Sequence, residues 1–346
     1  MISNPIFTVI IPCYNTPEEY IFRAYNSIVK QGDISREIII IDDGSLSEYH
    51  EPLERIAAKD DSVKLITMEN AGVSNARNIA VSKANGEYIV FLDSDDVLVD
   101  GCFDRAYSIA KQTNADYIIG GVKNAVSIED NTTVIEYSND PKYTIYTCDE
   151  VSRLKPCFIG PDYQFCYPDY YINRGPVARL IKSKIAKSVK FDTNVKIGED
   201  VIWNEEILNQ CNMVCIVNEI WYIYWHNAAS ASNSYSKKTI EEWEVQLKAL
   251  EEVIDLDNVQ MFSSYCNRIL EGLKNIWNGY LKEIRKSDKK LYKDIKHRLF
   301  YGYPWNRLAE TSRIQNNPGK MKVKSLLYKG KMLLPVYEIK ERIKRL

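Results

Sequence analysis

Asp93, Asp95 and Asp96 crowd into one short stretch, directly after the apolar run YIVFL at 88–92. Buried carboxylates without partners are costly, so acids grouped at the end of a core strand call for a positive neighbour. A divalent cation is one such neighbour. Mg²⁺ or Mn²⁺ takes hard oxygen ligands and is commonly held by one or two carboxylates together with substrate phosphates. That chemistry implies a phosphorylated substrate. The alternative is a helix N-terminus, with Asp95 or Asp96 capping the helix that follows.

Three other short polar stretches also follow apolar runs: PCYN at 12–15, DDGS at 42–45 and ENAGVSNARN at 69–78. The runs that precede them, 6–11, 37–41 and 63–67, are rich in Ile and Val, like 88–92. Helix-like stretches at 17–30, 47–59 and 73–84 separate them. Continuous apolar strands alternating with helices predict a doubly wound parallel sheet covered on both faces. In such a sheet ligands bind beyond the C-terminal ends of the strands. All of these polar stretches would then open on one mouth.

Further along, a helix is expected over 104–114 and strands over 116–122 and 143–146. The stretch 155–175, aromatic and rich in Pro and Gly, reads as a loop, and its part 158–171 could stack on sugars or fill space between domains. A short element follows near 177–187. Val201, Ile202, Ile207 and Leu208 predict a helix that opens at Glu199 and Asp200, where the dipole tolerates carboxylates. Ile240, Trp243, Leu247, Leu250 and Ile254 fall on one helical face, and a second helical run covers 259–285. Residues 320–346 carry nine Lys or Arg against two Glu, interleaved with Leu and Ile. That pattern suits an interfacial segment drawn to anionic lipid, a solvated tail or an oligomer contact.

The chain has 346 residues, enough for one generous core or two modest ones. Lys and Arg number 45 against 47 Asp and Glu, so no global basic field points to nucleic acid. The eight cysteines show no CxxC pair or metal-finger spacing and read as reduced thiols of a cytosolic protein. No signal peptide and no membrane-spanning run is expected. Neither GxGxxG nor GxxxxGK[ST] occurs, so nothing suggests a nicotinamide dehydrogenase or a P-loop enzyme.

Taken together and in order, VIIPCYN, IIIIDDGS, NAGVSNARN and VFLDSDD resemble the large inverting glycosyltransferase family 2, over roughly residues 5–230. The resemblance implies an α/β fold of the GT-A type, a doubly wound, Rossmann-like mixed sheet flanked by helices. It would span 1–236, with a nucleotide-binding half over about 1–100 and an acceptor-binding half over about 101–236. Residues 237–346 would form a helical C-terminal extension with a basic amphipathic tail.

The resemblance also implies roles. Asp93-Ser94-Asp95 would be the DxD element, with Asp93 beside the ribose and Asp95 on the Mn²⁺ or Mg²⁺ that bridges the two phosphates of a nucleotide-sugar. Asp43 matches the family Asp that accepts the imino N–H of uracil; on its own, 42–45 reads as an ordinary turn. Tyr14 can stack on a base, Pro12 shapes the turn, and Asn15 offers both a donor and an acceptor. Arg77, five residues after Gly72, is placed like the family arginine that approaches the nucleotide, or is a helix-surface arginine. Inverting transfer needs a base for the acceptor hydroxyl; the acidic doublet of the family makes Asp200 the base, with Glu199 second, unless both are first-turn helix acids. Arg179 stands where relatives often carry Lys and could touch acceptor or phosphate. His226 is a further metal candidate.

The reaction expected is transfer of one sugar, from UDP more than from dTDP or GDP, to a saccharide or lipid-linked saccharide in capsule, exopolysaccharide or cell-surface glycan synthesis. The QxxRW motif of processive members is absent. The protein would work in the cytoplasm, peripheral to the inner face of the plasma membrane through 320–346, with a homodimer left open. Two rivals are a nucleotidyltransferase, which would release pyrophosphate, and a sugar-nucleotide-binding subunit without turnover.

Overall fold

The computed structural model describes residues 5–125, 137, 141–160, 170–225, 238–310, 323 and 326–334. Ile- and Val-rich segments, stiff at Cβ and suited to a pleated surface, form β1 (Phe7–Cys13), β2 (Arg36–Asp42), β3 (Val63–Thr67) and β4 (Tyr88–Phe91). These lie side by side in the order β3-β2-β1-β4, all parallel, with Val9 level with Ile38 and Val90. They are joined by α1 (Glu18–Val29), α2 (Ser47–Lys59) and α3 (Val73–Lys83). Ile10, Ile11 and Ile38 to Ile41 are fully buried, which is why these strands show no polar alternation.

Past β4 the sheet becomes mixed. β8 (Arg179–Lys182) runs antiparallel to β4 and to β6 (Tyr117–Ala125). A long strand, β9 (Met213–Trp225), pairs parallel with β6 and antiparallel with β5 (Val97–Leu98) and β7 (Tyr143–Thr147). The intervening helices are α4 (Cys102–Thr113), α5 (Asp149–Ile159), α6 (Ser183–Ala186) and α7 (Glu199–Gln210). Helix α5 corrects the loop expected from residue 155. It runs through Pro156, because burying Leu154, Cys157, Phe158 and Ile159 outweighs the local preference. Residues 161–169 of that stretch lie outside the described residues.

The C-terminal region is helical: α8 (Thr239–Val253), α9 (Val259–Ile276), a π turn (Trp277–Leu281), α10 (Lys282–Ser287), α11 (Lys289–Tyr301) and a 3₁₀ turn (Trp305–Ala309). The expected face Ile240, Trp243, Leu247, Leu250 and Ile254 is buried. Asn258 and Asp288 cap α9 and α11, each accepting two main-chain N–H groups.

Two compact units emerge, one of Met1–Leu154, Tyr163–Thr193 and Glu206–Ala228, the other of Lys155–Asp162, Asn194–Glu205 and Ala229–Leu346. The division is therefore not a single cut at 236. Ile159, Val195, Val201 and Ile202 belong to the core of the second unit, with Trp243, Leu247, Phe262 and Leu299. The core of the first lies on β1, β2, β4, β6 and β9.

Candidate functional site

Strand β4 ends at Phe91, Leu92 N–H still donates to Ile10 O at 3.0 Å, and Asp93–Asp96 then turns, closed by Asp96 N–H on Asp93 O at 3.1 Å. No helix follows; β5 does, so the acids are not a helix cap. Several elements hold the turn. From α3, Arg77 Nη2 donates to Asp93 Oδ1 at 3.0 Å. From β9, Tyr222 hydroxyl accepts Asp93 N–H at 3.2 Å and donates to Asp96 Oδ2 at 2.6 Å, and Trp225 N–H donates to Asp96 Oδ1 at 2.7 Å. Thr16 Oγ1 and Ser94 Oγ share a hydrogen bond of 2.7 Å. From α1, Arg23 Nη2 donates to Asp95 O at 2.5 Å.

These contacts separate the acids. Asp96 is buried with both oxygens engaged, so it ties the turn to β9 and is withdrawn from the cation expected to face the whole cluster. Burial, then the charges of Asp93 and Asp95, raise its proton affinity well above that of an ordinary carboxyl. Asp95 is also raised, by burial first and by Asp93 second, while its own N–H and Arg23 pull it down. Its carboxyl group accepts no side-chain donor among the described residues. A half-buried carboxyl with its own charge disfavoured, beside a second carboxylate, is a hard-oxygen donor set that fits Mg²⁺ or Mn²⁺. Among the described residues no group of three or more His, Cys, Asp and Glu side chains could hold a metal. An ion here would draw its remaining ligands from substrate and water, the usual way Mg²⁺ is bound.

The neighbouring loops are fastened to each other. Asp43 is buried and accepts Ala71 N–H at 2.7 Å and Gly72 N–H at 2.9 Å, one on each oxygen. Asp42, also buried, accepts Ser45 N–H and pairs with His50 Nδ1. Gly44 has φ +76°, and a Cβ there would stand 2.7 Å from Asn70 N, so only glycine lets these loops meet. Asn15 Oδ1 accepts Leu46 N–H at 2.9 Å, and Asn15 N–H donates to Ser45 Oγ. The carboxyl of Asp43 and the amide of Asn15 are thus already engaged as loop ties. Tyr14 is 56 % exposed, presenting its ring at the same edge. Pro12 is still inside β1, level with Ile41, so it does not shape the turn as expected. Arg77 is buried against the Phe191 ring, which removes the helix-surface alternative.

Residues 8–154 match Glycosyl transferase family 2. Those residues carry a family 2 glycosyltransferase domain. It is 25% identical over 228 residues to glycosyltransferase GlyG of Streptococcus pneumoniae, covering 66% of this chain and 73% of GlyG. It is also 25% identical over 254 residues to the minor teichoic acid biosynthesis protein GgaB of Bacillus subtilis, covering 69% of this chain but only 25% of GgaB. The crystal structure of S. aureus TarS 1-349 in complex with UDP-GlcNAc aligns with a TM-score of 0.64 at 18% identity, over 94% of this chain and 88% of that one. The fold is GT-A.

Elsewhere in the chain, Arg179 lies inside the sheet. It is 1% exposed in β8, where Nε donates to Tyr117 hydroxyl at 3.0 Å and Nη2 to Asn173 O, so it braces the sheet. Glu199 and Asp200 open α7, both half-buried, and Asp200 Oδ1 accepts Val201 N–H at 2.8 Å. That first-turn position satisfies the dipole. His226 lies outside the described residues. Thr16, Arg23, Tyr222 and Trp225 carry no sequence signal: each reads as an ordinary member of a loop, helix or apolar run.

Proposed function

We propose that the protein moves one sugar, with inversion, from a UDP-sugar to a hydroxyl of a saccharide or lipid-linked saccharide, in synthesis of a bacterial surface polysaccharide. The observation that carries this reading is Asp95, a half-buried carboxyl group just beyond β4, next to Asp93 and with no side-chain donor among the described residues. Asp95, with Asp93, would hold Mn²⁺ or Mg²⁺, which when bound neutralises charge on the departing diphosphate. Arg77 fixes Asp93, and Tyr14 offers a ring to the base. Asp200 takes the proton of the acceptor hydroxyl as its oxygen bonds to the anomeric carbon, while the bond from that carbon to the diphosphate breaks and its electrons leave with the phosphate. Glu199 is the second candidate. UDP-GlcNAc in TarS and teichoic acid in the name of GgaB support the donor and product classes.

The test is calorimetric titration of UDP, dTDP and GDP with Mn²⁺ or EDTA, in wild type and Asp95→Ala. UDP binding that needs both metal and Asp95 is expected. No binding, or binding indifferent to both, removes the centre of the reading. Free UDP as product separates sugar transfer from nucleotidyl transfer, and Asp200→Asn should keep UDP binding and lose transfer. The basic segment 320–346 supports contact with an anionic membrane surface, to be checked by co-sedimentation with anionic against zwitterionic vesicles.

A further inference from the structure

We propose that Arg23 is a positioning residue that fixes the peptide between Asp95 and Asp96, and through it the direction of the Asp95 carboxyl group. The inference rests on the reading of Asp95 as the metal-holding acid. Arg23 belongs to α1, far from the DSDD turn in sequence, yet its Nη2 donates to Asp95 O at 2.5 Å. A carbonyl oxygen belongs to the peptide that joins one residue to the next, so this bond holds the plane from which both acids project. The guanidinium is itself confined: its Cζ lies 4.6 Å from the centre of the Trp225 ring and 5.2 Å from that of Tyr20.

Trp225 is used twice. Its ring carries Arg23, and its N–H donates to Asp96 Oδ1 at 2.7 Å. The Asp95–Asp96 peptide is thereby gripped from both sides, by its carbonyl through Arg23 and by the next side chain through the backbone of β9, and both grips end on one residue. With Asp96 drawn inward, the alternating side chain of Asp95 is left on the open side of the turn. The Nε–H of Arg23 is buried without an acceptor among the described residues. The arginine therefore does not owe its place to full hydrogen bonding; the carbonyl and the rings account for it. Its charge also acts on Asp95, opposing the repulsion from Asp93. A lysine would keep that charge but cannot lie flat on an indole while directing a planar N–H at a carbonyl.

Arg23→Gln and Arg23→Lys separate these contributions. Hydrogen exchange of the ligand-free protein is the first measurement, because it needs no nucleotide. Both variants should speed exchange of the 94–96 amides by about tenfold to a hundredfold, the range for losing a hydrogen bond to a charged group. Amides of β1, such as those of Val9 to Ile11, should speed by no more than the factor seen at 94–96, with a melting temperature lowered by no more than about 10 °C. The second measurement is UDP affinity with Mn²⁺ against uridine affinity. The former should weaken by a similar factor and the latter should hold. Unchanged exchange at 94–96 in Arg23→Gln, or greater acceleration at β1 than at 94–96, overturns the proposal, as does full recovery of both readouts in Arg23→Lys. Wild type that fails to bind UDP sinks the functional reading alone, and the exchange result still decides Arg23.

Discussion

The behaviour of a buried carboxyl group is set by what donates to it, and at the end of β4 adjacent aspartates receive different donors. Asp96 has Tyr222 and Trp225; Asp93 has Arg77; Asp95 has its carbonyl held, while its carboxyl meets its own N–H and no side-chain donor among the described residues. Tyr222→Phe removes a donor from Asp96 and the acceptor of Asp93 N–H. It should cost about 1–3 kcal/mol, read as a lower urea midpoint at unchanged slope. The Tyr222 bond favours the ionised form of Asp96, whose folded proton affinity is already raised, so losing it raises that affinity further. The deficit should then be larger at pH 8 than at pH 4, because stability falls as pH climbs between the unfolded and folded values. Asp93 and Asp95 were legible in the sequence because acids are out of place after a strand such as YIVFL. Tyr222 and Trp225 were not, because inside MVCIVNEIWYIYW they look like more of the core.

Helices α7 and α8 answer the same electrostatic problem in opposite ways. Glu205 on α7 is fully buried, neither oxygen has a hydrogen-bond partner among the described residues, and burial pushes its pKa up to about 8, with Lys155 a weaker opposing influence. An acid raised on folding is protonated in the fold where the unfolded chain is not, so stability should fall between about pH 4.5 and 8, at up to about 1.4 kcal/mol per pH unit. Urea midpoints across that window check this, and Glu205→Gln should flatten the slope and stabilise the protein at pH 8. Glu251 on α8 is the converse. Burial alone would raise it, but Arg307, Tyr303 and Tyr265 donate to it and hold it below the ordinary carboxylate value. Its contribution is present above the unfolded value and lost as pH falls through the folded one, so Glu251→Gln should cost stability at pH 7 and little at pH 3. One helical turn pair away, Glu244 takes Arg298 and the Trp305 indole. Among the elements, β1 to β4 were legible because strands buried on both faces write continuous apolar runs. Helix α11 was not, since only Ile295, Leu299 and Phe300 are buried among its many lysines.

At the scale of the molecule, the C-terminal region is helical, and the core of the second unit reaches back to Ile159 and Val201. Short apolar segments report that they are buried, not which core buries them, so this return was invisible in the sequence. A chain ended at residue 236 should therefore be insoluble or partly unfolded, because Ile159, Val195, Val201 and Ile202 lose their partners. Comparing soluble yield and thermal melting with those of the full chain checks it. The same threading has a consequence in time. A ribosome adds about 5–20 residues per second, so roughly 5–20 s pass between Val201 and Leu299, members of one core. For that interval the nascent chain carries Ile159, Val195, Val201 and Ile202 with their core incomplete, so exposed apolar surface is part of its own synthesis.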